Sequence, residues 1–351
     1  MTPSTTTRVG MQPPRTEDEL EERLSRPGSG VVDALRASPG DVVVLGAGGK
    51  MGPSLARMVR RAAGELGDGR EVIAVSRFSS PAAAARLEAW GIRAVRADLS
   101  DRDAVATLPD APNVIFMAGQ KFGTRQLPAL TWVANTVVPA LAAERYRGTR
   151  IVAFSTGNVY PLTPVTGGGS RESDPTGPVG EYAWSCLGRE RVFEHASRAR
   201  GTPVAIVRLN YAVDLRYGVL VDLARKVWSG EAIDLRMGHV NLIWQGDASA
   251  QAIQCLPRAS VPPLVVNVTG PETLSVRAVA LELGRVLERE PNFTGREEDD
   301  ALLSNTSLAQ NFFGPPAVSS DTLLAWVAEW IRGGGRILGK ATHFEEREGN
   351  F

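Results

Sequence analysis

The chain has 351 residues, of which 43% are hydrophobic and 22% are charged, as in ordinary globular proteins. Lys and Arg together number 39 and so do Asp and Glu, so no net charge favours nucleic acid or an anionic membrane as a partner. The two cysteines and three histidines are too few and too scattered for a disulfide framework or a zinc site, and no apolar run has the length of a membrane span. With no secretion signal in MTPSTTTRVGMQPPR, these features predict a cytoplasmic protein without a bound metal.

Residues 1–40 are expected to form an N-terminal extension. Residues 1–15 are rich in Thr and Pro, which predicts a disordered lead. Thr16 and Glu19 have the spacing of a capping box, so a short helix is expected to begin there. A Pro-Gly pair then marks a turn before the first strand.

Between residues 41 and 210, short apolar runs alternate with longer segments of helical pattern, such as residues 51–66 and 132–146. The runs are rich in β-branched residues and lack strict alternation, which is typical of strands buried on both faces. Strand–helix repetition of this kind predicts an α/β fold, namely a Rossmann-type doubly wound parallel sheet over residues 41–210. The predicted strands lie within residues 41–48, 70–77, 92–99, 113–119, 149–156 and 203–210.

After residue 210 the alternation of strand and helix patterns becomes irregular. Helical pieces such as DTLLAWVAEWIRG mix with short strands such as PLVVNVTG. We therefore expect residues 211–351 to form a smaller C-terminal α+β portion that covers the open end of the sheet and binds the substrate. Its polar tail, KATHFEEREGNF, is expected either to be poorly ordered or to pack back on the body.

The glycine-rich turn in DVVVLGAGGKMGPSLARM is the strongest local signal. Gly46, Gly49 and Gly52 directly follow the first predicted strand and open a helix. Such glycines allow a tight turn and a close approach of the backbone to a pyrophosphate, while the helix N-terminus offers free N–H groups to the anion. The turn therefore predicts a dinucleotide-binding site, which Lys50 and Met51, between the last two glycines, are expected to help line.

The residues that follow the next two strands bear on which dinucleotide is bound. At the end of the second strand, where NAD-binding proteins carry an acidic residue, the chain has Ser76 and Arg77. Arg77 can pair with the 2′-phosphate of NADP and Ser76 or Ser79 can hydrogen-bond to it, so NADP is the expected cofactor and NAD the alternative. A solvated arginine is the other interpretation of Arg77. After the third strand, Asp98 and Leu99 are expected to line the cofactor site, where Asp98 can accept a hydrogen bond from the adenine amino group. An N-cap of the following helix is the other interpretation of residues 98–100.

The glycine turn, RADLSD, VIFMAGQK, FSTGNVYP and EYAWS follow one another along the chain. In this order and spacing they resemble the extended short-chain dehydrogenase/reductase family, and more narrowly its NAD-dependent epimerase/dehydratase branch, from about residue 41 to residue 270. The resemblance implies an NAD(P)-dependent epimerase or oxidoreductase that acts on a carbohydrate or carbohydrate-derived substrate by hydride transfer. It also implies cofactor contacts at Ala118 and Gly119, and a homodimer paired through helices near residues 132–146 and 182–199.

The catalytic residues that the resemblance implies are only partly present. Thr156 and Tyr182 match the hydroxyl-bearing residues that the family directs at the reacting oxygen of the substrate. The family's lysine, four residues after the tyrosine, is replaced by Cys186, whose neutral thiol supplies no positive charge to favour a tyrosine phenolate. Lys121, in a stretch similar to the family's AGxK, is expected to take part of the lysine's role, with an exposed surface position as the alternative. Arg189, two turns after the tyrosine, is interpreted as a surface residue or a phosphate contact.

The resemblance specifies the substrate side less fully. Asn158, Asn210 and Tyr211 match family positions that border the substrate pocket, which Lys121 and Thr156 are also expected to face. The family's basic residue for a nucleotide diphosphate has no counterpart in VNLIW, so a nucleotide-linked sugar, a simple sugar, a sugar acid and a lactone all stay open. The intact glycine turn and the missing lysine also suit a second hypothesis, a catalytically impaired NAD(P)-binding protein with a structural or regulatory role.

Overall fold

The computed structural model describes residues 12–78, 80–121, 123 and 126–350. Most of the expected N-terminal lead, and Ser79, therefore lie outside the described residues. In chain order the strands are β1 (Val42–Leu45), β2 (Val72–Ser76), β3 (Arg93–Arg96), β4 (Asn113–Phe116), β5 (Arg150–Thr156), β6 (Thr163–Pro164), β7 (Val204–Leu209), β8 (Ala212–Val213), β9 (Ala232–Asp234), β10 (His239–Val240), β11 (Ile243–Trp244), β12 (Leu264–Val268), β13 (Leu274–Ser275), β14 (Asn292–Thr294) and β15 (Asp300–Ala301). The α-helices are α1 (Glu17–Leu24), α2 (Ser29–Arg36), α3 (Gly52–Leu66), α4 (Pro81–Ala89), α5 (Arg102–Ala106), α6 (Pro128–Trp132), α7 (Val138–Arg145), α8 (Gly180–Arg200), α9 (Val219–Ser229), α10 (Gln245–Gln254), α11 (Val276–Leu287), α12 (Ser307–Phe313) and α13 (Ser320–Arg332), with a π-helical turn at Val133–Val137 between α6 and α7.

The main sheet is parallel and has seven strands in the order β12-β7-β5-β4-β1-β2-β3. This confirms the predicted Rossmann-type α/β fold, and each predicted run contains a strand of the sheet. The additional strand, β12, comes from the portion after residue 210 and pairs with β7. The chain order of the strands reverses between β1 and β4, so their carboxyl ends border a crevice of the kind in which such sheets bind ligands.

Helices cover both faces of the sheet because successive strand residues point to opposite sides. Val42 and Val44 of β1 pack into one buried cluster with α2, α3 and α10. Val43 and Leu45 of the same strand pack into a second cluster with α5, α7 and α8. All of these strand side chains are fully buried, which explains why the strand sequence shows no polar alternation.

The C-terminal portion has a hydrophobic core of its own, in which α9, α11 and α13 pack against each other. Leu20 and Leu24 of α1 are buried in that core, whereas α2 packs on the sheet. The predicted capping residue Thr16 is the N-cap of α1, where its Oγ1 accepts the Glu19 N–H at 3.2 Å. The N-terminal extension therefore joins the two parts of the molecule, and the domain boundaries at residues 40 and 210 stay predictions.

The C-terminal tail packs back on the body, which is one of its two expected alternatives. The Phe344 side chain is buried in the core of the C-terminal portion. Thr342 donates from its N–H group at 2.7 Å and from its hydroxyl at 2.6 Å to the buried Asp222 carboxylate of α9. Tyr211 donates its hydroxyl to the Phe344 carbonyl oxygen at 3.3 Å. These contacts bring the tail to the carboxyl edge of the sheet.

Two kinds of feature are absent from the part of the chain that the structure describes. No helix among those residues is both long and apolar enough to cross a membrane. No group of His, Cys, Asp and Glu side chains among them is arranged to hold a metal ion.

Candidate active site

A cleft opens at the carboxyl ends of β1, β4, β5 and β7, next to the C-terminal portion, and a groove continues from it across the ends of β2 and β3. The cleft and the groove share wall residues from the glycine turn and from the loop after β4, so they form one continuous depression. The residues predicted for catalysis and substrate binding line the cleft, whereas those predicted for adenosine line the groove. The cleft is lined by Lys50, Met51, Lys121, Thr156, Asn158, Tyr182, Asn210 and Tyr211, and the groove by Ser76, Arg77, Asp98, Leu99 and Ala118.

The glycine-rich turn between β1 and α3 lies where the cleft meets the groove. A Cβ atom at Gly46 would lie 2.6 Å from the backbone nitrogen of Ala118, and one at Gly52 would collide with the carbonyl group of Ala47. Gly46 also has a φ of +85°, a conformation that favours glycine. A Cβ atom at Gly49, by contrast, would have only an ordinary contact, 3.4 Å from the Gly46 oxygen. Protein packing therefore fixes two of the glycines, and the third leaves the backbone open to a ligand at the N-terminus of α3, as a pyrophosphate requires.

The groove across β2 and β3 carries two arginines. Ser76 ends β2, and Arg77 follows it with an exposed side chain. In the sheet register Ser76 pairs with Arg96 of β3, so a second exposed arginine lines the same groove. Sequence analysis does not single out Arg96, because its place beside Arg77 follows only from the pairing of the two strands.

Asp98 lies on the wall of the groove but does not cap the helix that follows. Its carboxylate accepts hydrogen bonds from the Ser100 N–H group at 2.9 Å and from the Ser100 hydroxyl at 2.7 Å, and these lower the pKa of Asp98. The N-cap of α5 is Asp101, which accepts from the N–H groups of Asp103 and Ala104. The N-cap interpretation of the segment beginning at Asp98 is therefore wrong, and a contact with adenine stays a prediction.

Thr156 and Tyr182 meet in the cleft from two different elements, the end of β5 and the first turn of α8. Thr156 Oγ1 donates to Asn158 Oδ1 at 3.0 Å, and a hydrogen bond links the side chains of Thr156 and Tyr182. Burial raises the pKa of Tyr182 above its usual value, and the neighbouring Cys186 raises it further. Burial also raises the pKa of the Cys186 thiol. The residue in the lysine position therefore stays neutral, and the Tyr182 hydroxyl keeps its proton.

Arg189 brings a positive charge to this part of the cleft. Helix side chains point towards the N-terminus of their own helix, so Arg189 reaches back over the turn that contains Cys186. Its guanidinium donates to the Phe154 carbonyl oxygen at 2.9 Å and to Asn135 Oδ1, and the residue is only 6% exposed. Its charge lowers the pKa of both Tyr182 and Cys186, against the effect of burial. The interpretation of Arg189 as a surface residue is therefore wrong.

Asn135 connects Arg189 to the loop after β4. It is buried in the π-helical turn, where it accepts from the Gln120 N–H group and donates to the Gln120 carbonyl oxygen, both at 3.0 Å. Its amide also donates to Ser185 Oγ at 2.8 Å. A Cβ atom at Gly119 would collide with the Arg189 guanidinium. The loop, the π-helical turn and α8 therefore form one packed unit around the arginine, and Gly119 is required by that packing.

Two lysines reach into the cleft from the side of the glycine turn and the β4 loop. Lys121 is half-buried, with its Nζ 5.8 Å from the centre of the Tyr182 ring and 3.3 Å from the Thr342 carbonyl oxygen, to which it donates. Burial lowers the pKa of Lys121 to about 8, and the alternative of an exposed surface lysine is wrong. Lys50 crosses the cleft to Tyr217, whose ring centre is 3.1 Å from the Lys50 Nζ. Burial and the charge of Lys121 lower the pKa of Lys50 to about 7.

Comparison with known proteins agrees with the Rossmann-type fold described above. Residues 42–213 match the family described as the NAD dependent epimerase/dehydratase family. This segment belongs to that family. No curated protein matches the chain by sequence.

Several solved structures resemble the epimerase/dehydratase fold of the chain. DesIV, a dTDP-glucose 4,6-dehydratase from Streptomyces venezuelae solved with NAD and TYD bound, has a TM-score of 0.69 and 21% identity, covering 83% of this chain and 97% of that chain. A UDP-glucuronic acid 4-epimerase variant from Bacillus cereus, solved with NAD, has a TM-score of 0.69 and 16% identity, covering 83% of this chain and 99% of that chain. MoeE5, solved with UDP-glucose and NAD, has a TM-score of 0.66 and 21% identity, covering 84% of this chain and 99% of that chain. At these identities the likeness shows a shared fold.

The family positions expected to border the substrate lie on the cleft wall that the C-terminal portion contributes. Asn210 is 2% exposed, and its Nδ2 donates to Asn241 Oδ1 at 2.9 Å and to the Leu302 carbonyl oxygen at 3.3 Å. Tyr211 has a φ of +42° and directs its hydroxyl to the tail. Tyr217, which sequence analysis misses, stands on the same wall. The family motifs carry no signal for it, because its place in the cleft depends on the fold of the C-terminal portion.

Proposed function

We propose that the chain is an NADP-dependent epimerase or oxidoreductase that acts on a carbohydrate or carbohydrate-derived substrate. The observation that carries this proposal is the meeting of the Thr156 and Tyr182 side chains in a cleft that adjoins the glycine turn. The proteins of similar structure, solved with UDP-glucose, UDP-glucuronic acid and NAD, support this class of substrate and cofactor. The buried free thiols of both cysteines suit a reducing compartment such as the cytoplasm.

The polar residues of the cleft suit proton transfer at a hydroxyl-bearing carbon. A bound nicotinamide supplies the hydride donor or acceptor for such a reaction. Thr156 would donate a hydrogen bond to the reacting oxygen, and Tyr182 would give or take its proton. Lys121 and Arg189 would together replace the lysine that is missing at Cys186, because a nearby cation lowers the pKa of a tyrosine.

Arg77 and Arg96 favour NADP over NAD. Both line the groove at the ends of β2 and β3 with exposed side chains, and Ser76 lies beside them. A guanidinium binds a phosphate in a bidentate geometry, whereas an NAD site usually has a carboxylate at the end of the second strand. The similar structures were solved with NAD, so recognition of a 2′-phosphate would set this chain apart from them.

A second copy of the chain is the protein partner that the surface favours. The helical segment from α6 to α7 packs beside α8, and both carry exposed large apolar side chains. Contiguous exposed apolar patches mark protein–protein interfaces, so we infer a homodimer through this patch. The side chains of the patch, each between 38% and 52% exposed, are Trp132, Val137 and Trp184.

Cofactor binding without turnover is the second candidate function. It is favoured by the neutral Cys186 in the lysine position and by the raised pKa of Tyr182, both of which oppose proton transfer. In this case NADP(H) has a structural or regulatory role. The two functions share the cofactor site and differ in what the Tyr182 hydroxyl does.

The experiment that separates them begins with a titration of NADP(H) and NAD(H) into the purified protein. The cofactor-loaded protein is then incubated with simple sugars, sugar acids and nucleotide-linked sugars, while nicotinamide absorbance and epimer composition are followed. Tyr182→Phe is expected to lower turnover by about 100-fold or more, because proton transfer by a positioned side chain contributes that much. Its affinity for the cofactor is expected to stay unchanged, since only a hydroxyl is removed.

Each outcome of this experiment has a distinct meaning. Turnover that persists in Tyr182→Phe contradicts the assignment of Tyr182. Cofactor binding with no turnover of any sugar by the unmodified protein supports the second function. Binding of neither dinucleotide contradicts both functions.

A further inference from the structure

The chain uses lysine sparingly, and its lysines gather at the cleft. Lys and Arg together number 39, but only four of them are lysines: Lys50, Lys121, Lys226 and Lys340. Lys50 and Lys121 line the cleft, and Lys340 lies near enough for its charge to lower the pKa of Lys50. Lysine and arginine are not interchangeable, because an ammonium group is a compact point charge with three donors that can turn freely. Two of the four lysines therefore line the same cleft.

The two cleft lysines approach each other from different elements. Lys50 extends from the glycine turn to the ring of Tyr217, and Lys121 extends from the loop after β4 to the carbonyl oxygen of Thr342. Tyr217 and Thr342 both belong to the C-terminal portion. The ammonium groups therefore lie on the substrate side of the cleft rather than in the groove that faces adenosine.

Two carboxylates whose charges act on Lys50 also have partners of their own. Asp214 forms an ion pair with Arg216 at 2.8 Å. Asp222 accepts two hydrogen bonds from Thr342, at 2.7 Å and 2.6 Å. Both carboxylates attract Lys50, yet burial and the neighbouring lysines outweigh them and lower its pKa to about 7. The electrostatic environment of Lys50 therefore favours the arrival of a further negative charge.

We propose that Lys50 and Lys121 bind an oxyanion of the substrate, either a carboxylate or a phosphate. The inference rests on the proposed function, because it assigns the charged group of that substrate. An oxyanion can accept charge-assisted hydrogen bonds from both ammonium groups and offsets their mutual repulsion. Since the Lys121 Nζ is 5.8 Å from the ring centre of Tyr182, the anchored group holds its sugar beside the hydroxyls that handle the proton.

Anion binding can be measured without turnover. Inorganic phosphate, inorganic diphosphate and D-glucuronate are titrated by calorimetry into the protein, with and without saturating NADP, and D-glucose serves as the neutral control. Lys50→Met, which keeps an aliphatic side chain over Tyr217, is expected to weaken anion binding by about 10-fold or more, as the loss of a charge-assisted hydrogen bond does. Lys226→Met is the matched control, because Lys226 pairs with Glu345 at 3.5 Å outside the cleft. It is expected to leave anion affinity unchanged.

Proton uptake provides a second measurement that a structural role of Lys50 would not produce. With a pKa of about 7, Lys50 is mostly neutral at pH 8. An anion that binds both lysines raises both pKa values, so binding of D-glucuronate at pH 8 should take up about 0.9 proton at Lys50 and about 0.5 proton at Lys121, and binding at pH 6 close to none. Titrations in buffers of different ionisation enthalpy measure the uptake. The charged and titratable groups around Lys50 from the other elements are Lys121, Asp214, Tyr217, Asp222 and Lys340.

The results of these titrations distinguish a phosphate from a carboxylate as the source of the anion, and both from failure of the proposal. Tighter binding of phosphate or diphosphate supports a phosphorylated or nucleotide-linked substrate, and tighter binding of glucuronate supports a sugar acid. The proposal is overturned if no anion binds, or if Lys50→Met weakens NADP binding and leaves anion affinity unchanged. In the latter case Lys50 serves the cofactor, as sequence analysis first indicates. If Tyr182→Phe keeps its turnover, the assigned role of Tyr182 is contradicted, but the anion titrations still test this proposal because they need no reaction.

Discussion

Cys186 and Arg189 lie three residues apart on α8, so their side chains share one face of the helix. In the resembling family a single lysine on this face both lowers the pKa of the tyrosine and holds the nicotinamide ribose. Here the Arg189 guanidinium is hydrogen-bonded to Phe154 and Asn135, which fixes it in the wall of the cleft. It therefore acts on Tyr182 through its charge. The structure thus places a positive charge one turn further along α8 than the lysine of that family.

Moving the positive charge from position 189 to position 186, where the family has its lysine, tests the electrostatic role of Arg189. Arg189→Leu is expected to raise the pH at which kcat/KM reaches half its maximum by about 1 unit, because Tyr182 loses a cation that lowers its pKa. The double variant Cys186→Lys/Arg189→Leu is expected to restore the original profile or to lower it further, since a lysine there stands one turn from the tyrosine. The measurement is the pH dependence of kcat/KM for all three proteins.

The leucine substitution also leaves the Phe154 and Asn135 oxygens without a donor, so the thermal unfolding of each variant is the control. Arg189→Lys keeps a positive charge with fewer hydrogen-bond donors. Its pH profile of kcat/KM is expected to lie between those of the unmodified protein and Arg189→Leu. If Arg189→Leu loses stability but keeps its pH profile, Arg189 holds the fold together and has no electrostatic role at Tyr182.

At the scale of single residues, the sequence predicts where a side chain lies when the spacing of a motif fixes its place in the fold. The glycines, Thr156 and Tyr182 are placed by motifs that follow strand ends and the start of a helix, and the structure brings them together. The direction in which a long side chain points cannot be predicted from motif spacing, because it depends on neighbouring residues from other elements. Arg189 is drawn inward by Phe154 and Asn135, and the contact of Lys50 with a ring of the C-terminal portion depends on the tertiary fold.

At the scale of elements, burial decides which strands can be predicted. The inner strands of the central sheet are covered on both faces and so read as continuous apolar runs, whereas the edge strand β3 begins and ends with exposed arginines. The short strands of the C-terminal portion give no such pattern. For example, β15 of that portion pairs with β6 through Ala301 and Thr163, which lie far apart in the chain. A two-residue pairing over such a separation is determined by tertiary packing, and no local period in the sequence indicates it.

Asp247 at the start of α10 gives a test of stability at this scale. Its carboxylate accepts the Val318 N–H group at 2.9 Å, and burial raises its pKa to about 6. Because the folded protein holds this proton more tightly than the unfolded chain, stability falls as pH rises from about 4 to about 6. Asp247→Asn keeps an acceptor and removes the buried charge. It is expected to raise the free energy of unfolding by about 1–3 kcal/mol at pH 8 and by little at pH 4.

Urea unfolding at both pH values measures this difference. The same substitution at Asp103, an exposed aspartate in the first turn of α5, is the matched control. An equal effect of Asp247→Asn at pH 4 and pH 8 would mean that the carboxylate is not raised in pKa by its surroundings.

At the scale of the whole molecule, the apolar patch beside α8 is expected to join two copies. Trp184 is 52% exposed at that patch. Trp184→Lys places a charge where an apolar ring would be buried, so it is expected to weaken the dimer by about 10-fold or more. Sedimentation velocity over a range of protein concentrations measures the change. Trp228→Lys, which alters a 39% exposed tryptophan on α9, is the control and should leave association unchanged. A monomeric unmodified protein contradicts the homodimer.

The docking of the tail also has a consequence for the order in which the protein is built. Thr342 reaches the cleft from a point roughly 300 residues after the glycine turn, and ribosomes add about 5–20 residues per second, so these two walls are synthesised about 15–60 s apart. The sheet strands that carry the dinucleotide turn emerge first, and domains commonly fold as they emerge. The strands that carry the glycine turn therefore exist well before the residues that complete the cleft. Translation thus imposes an order of assembly, in which the glycine turn is made before the tail arrives to close the cleft.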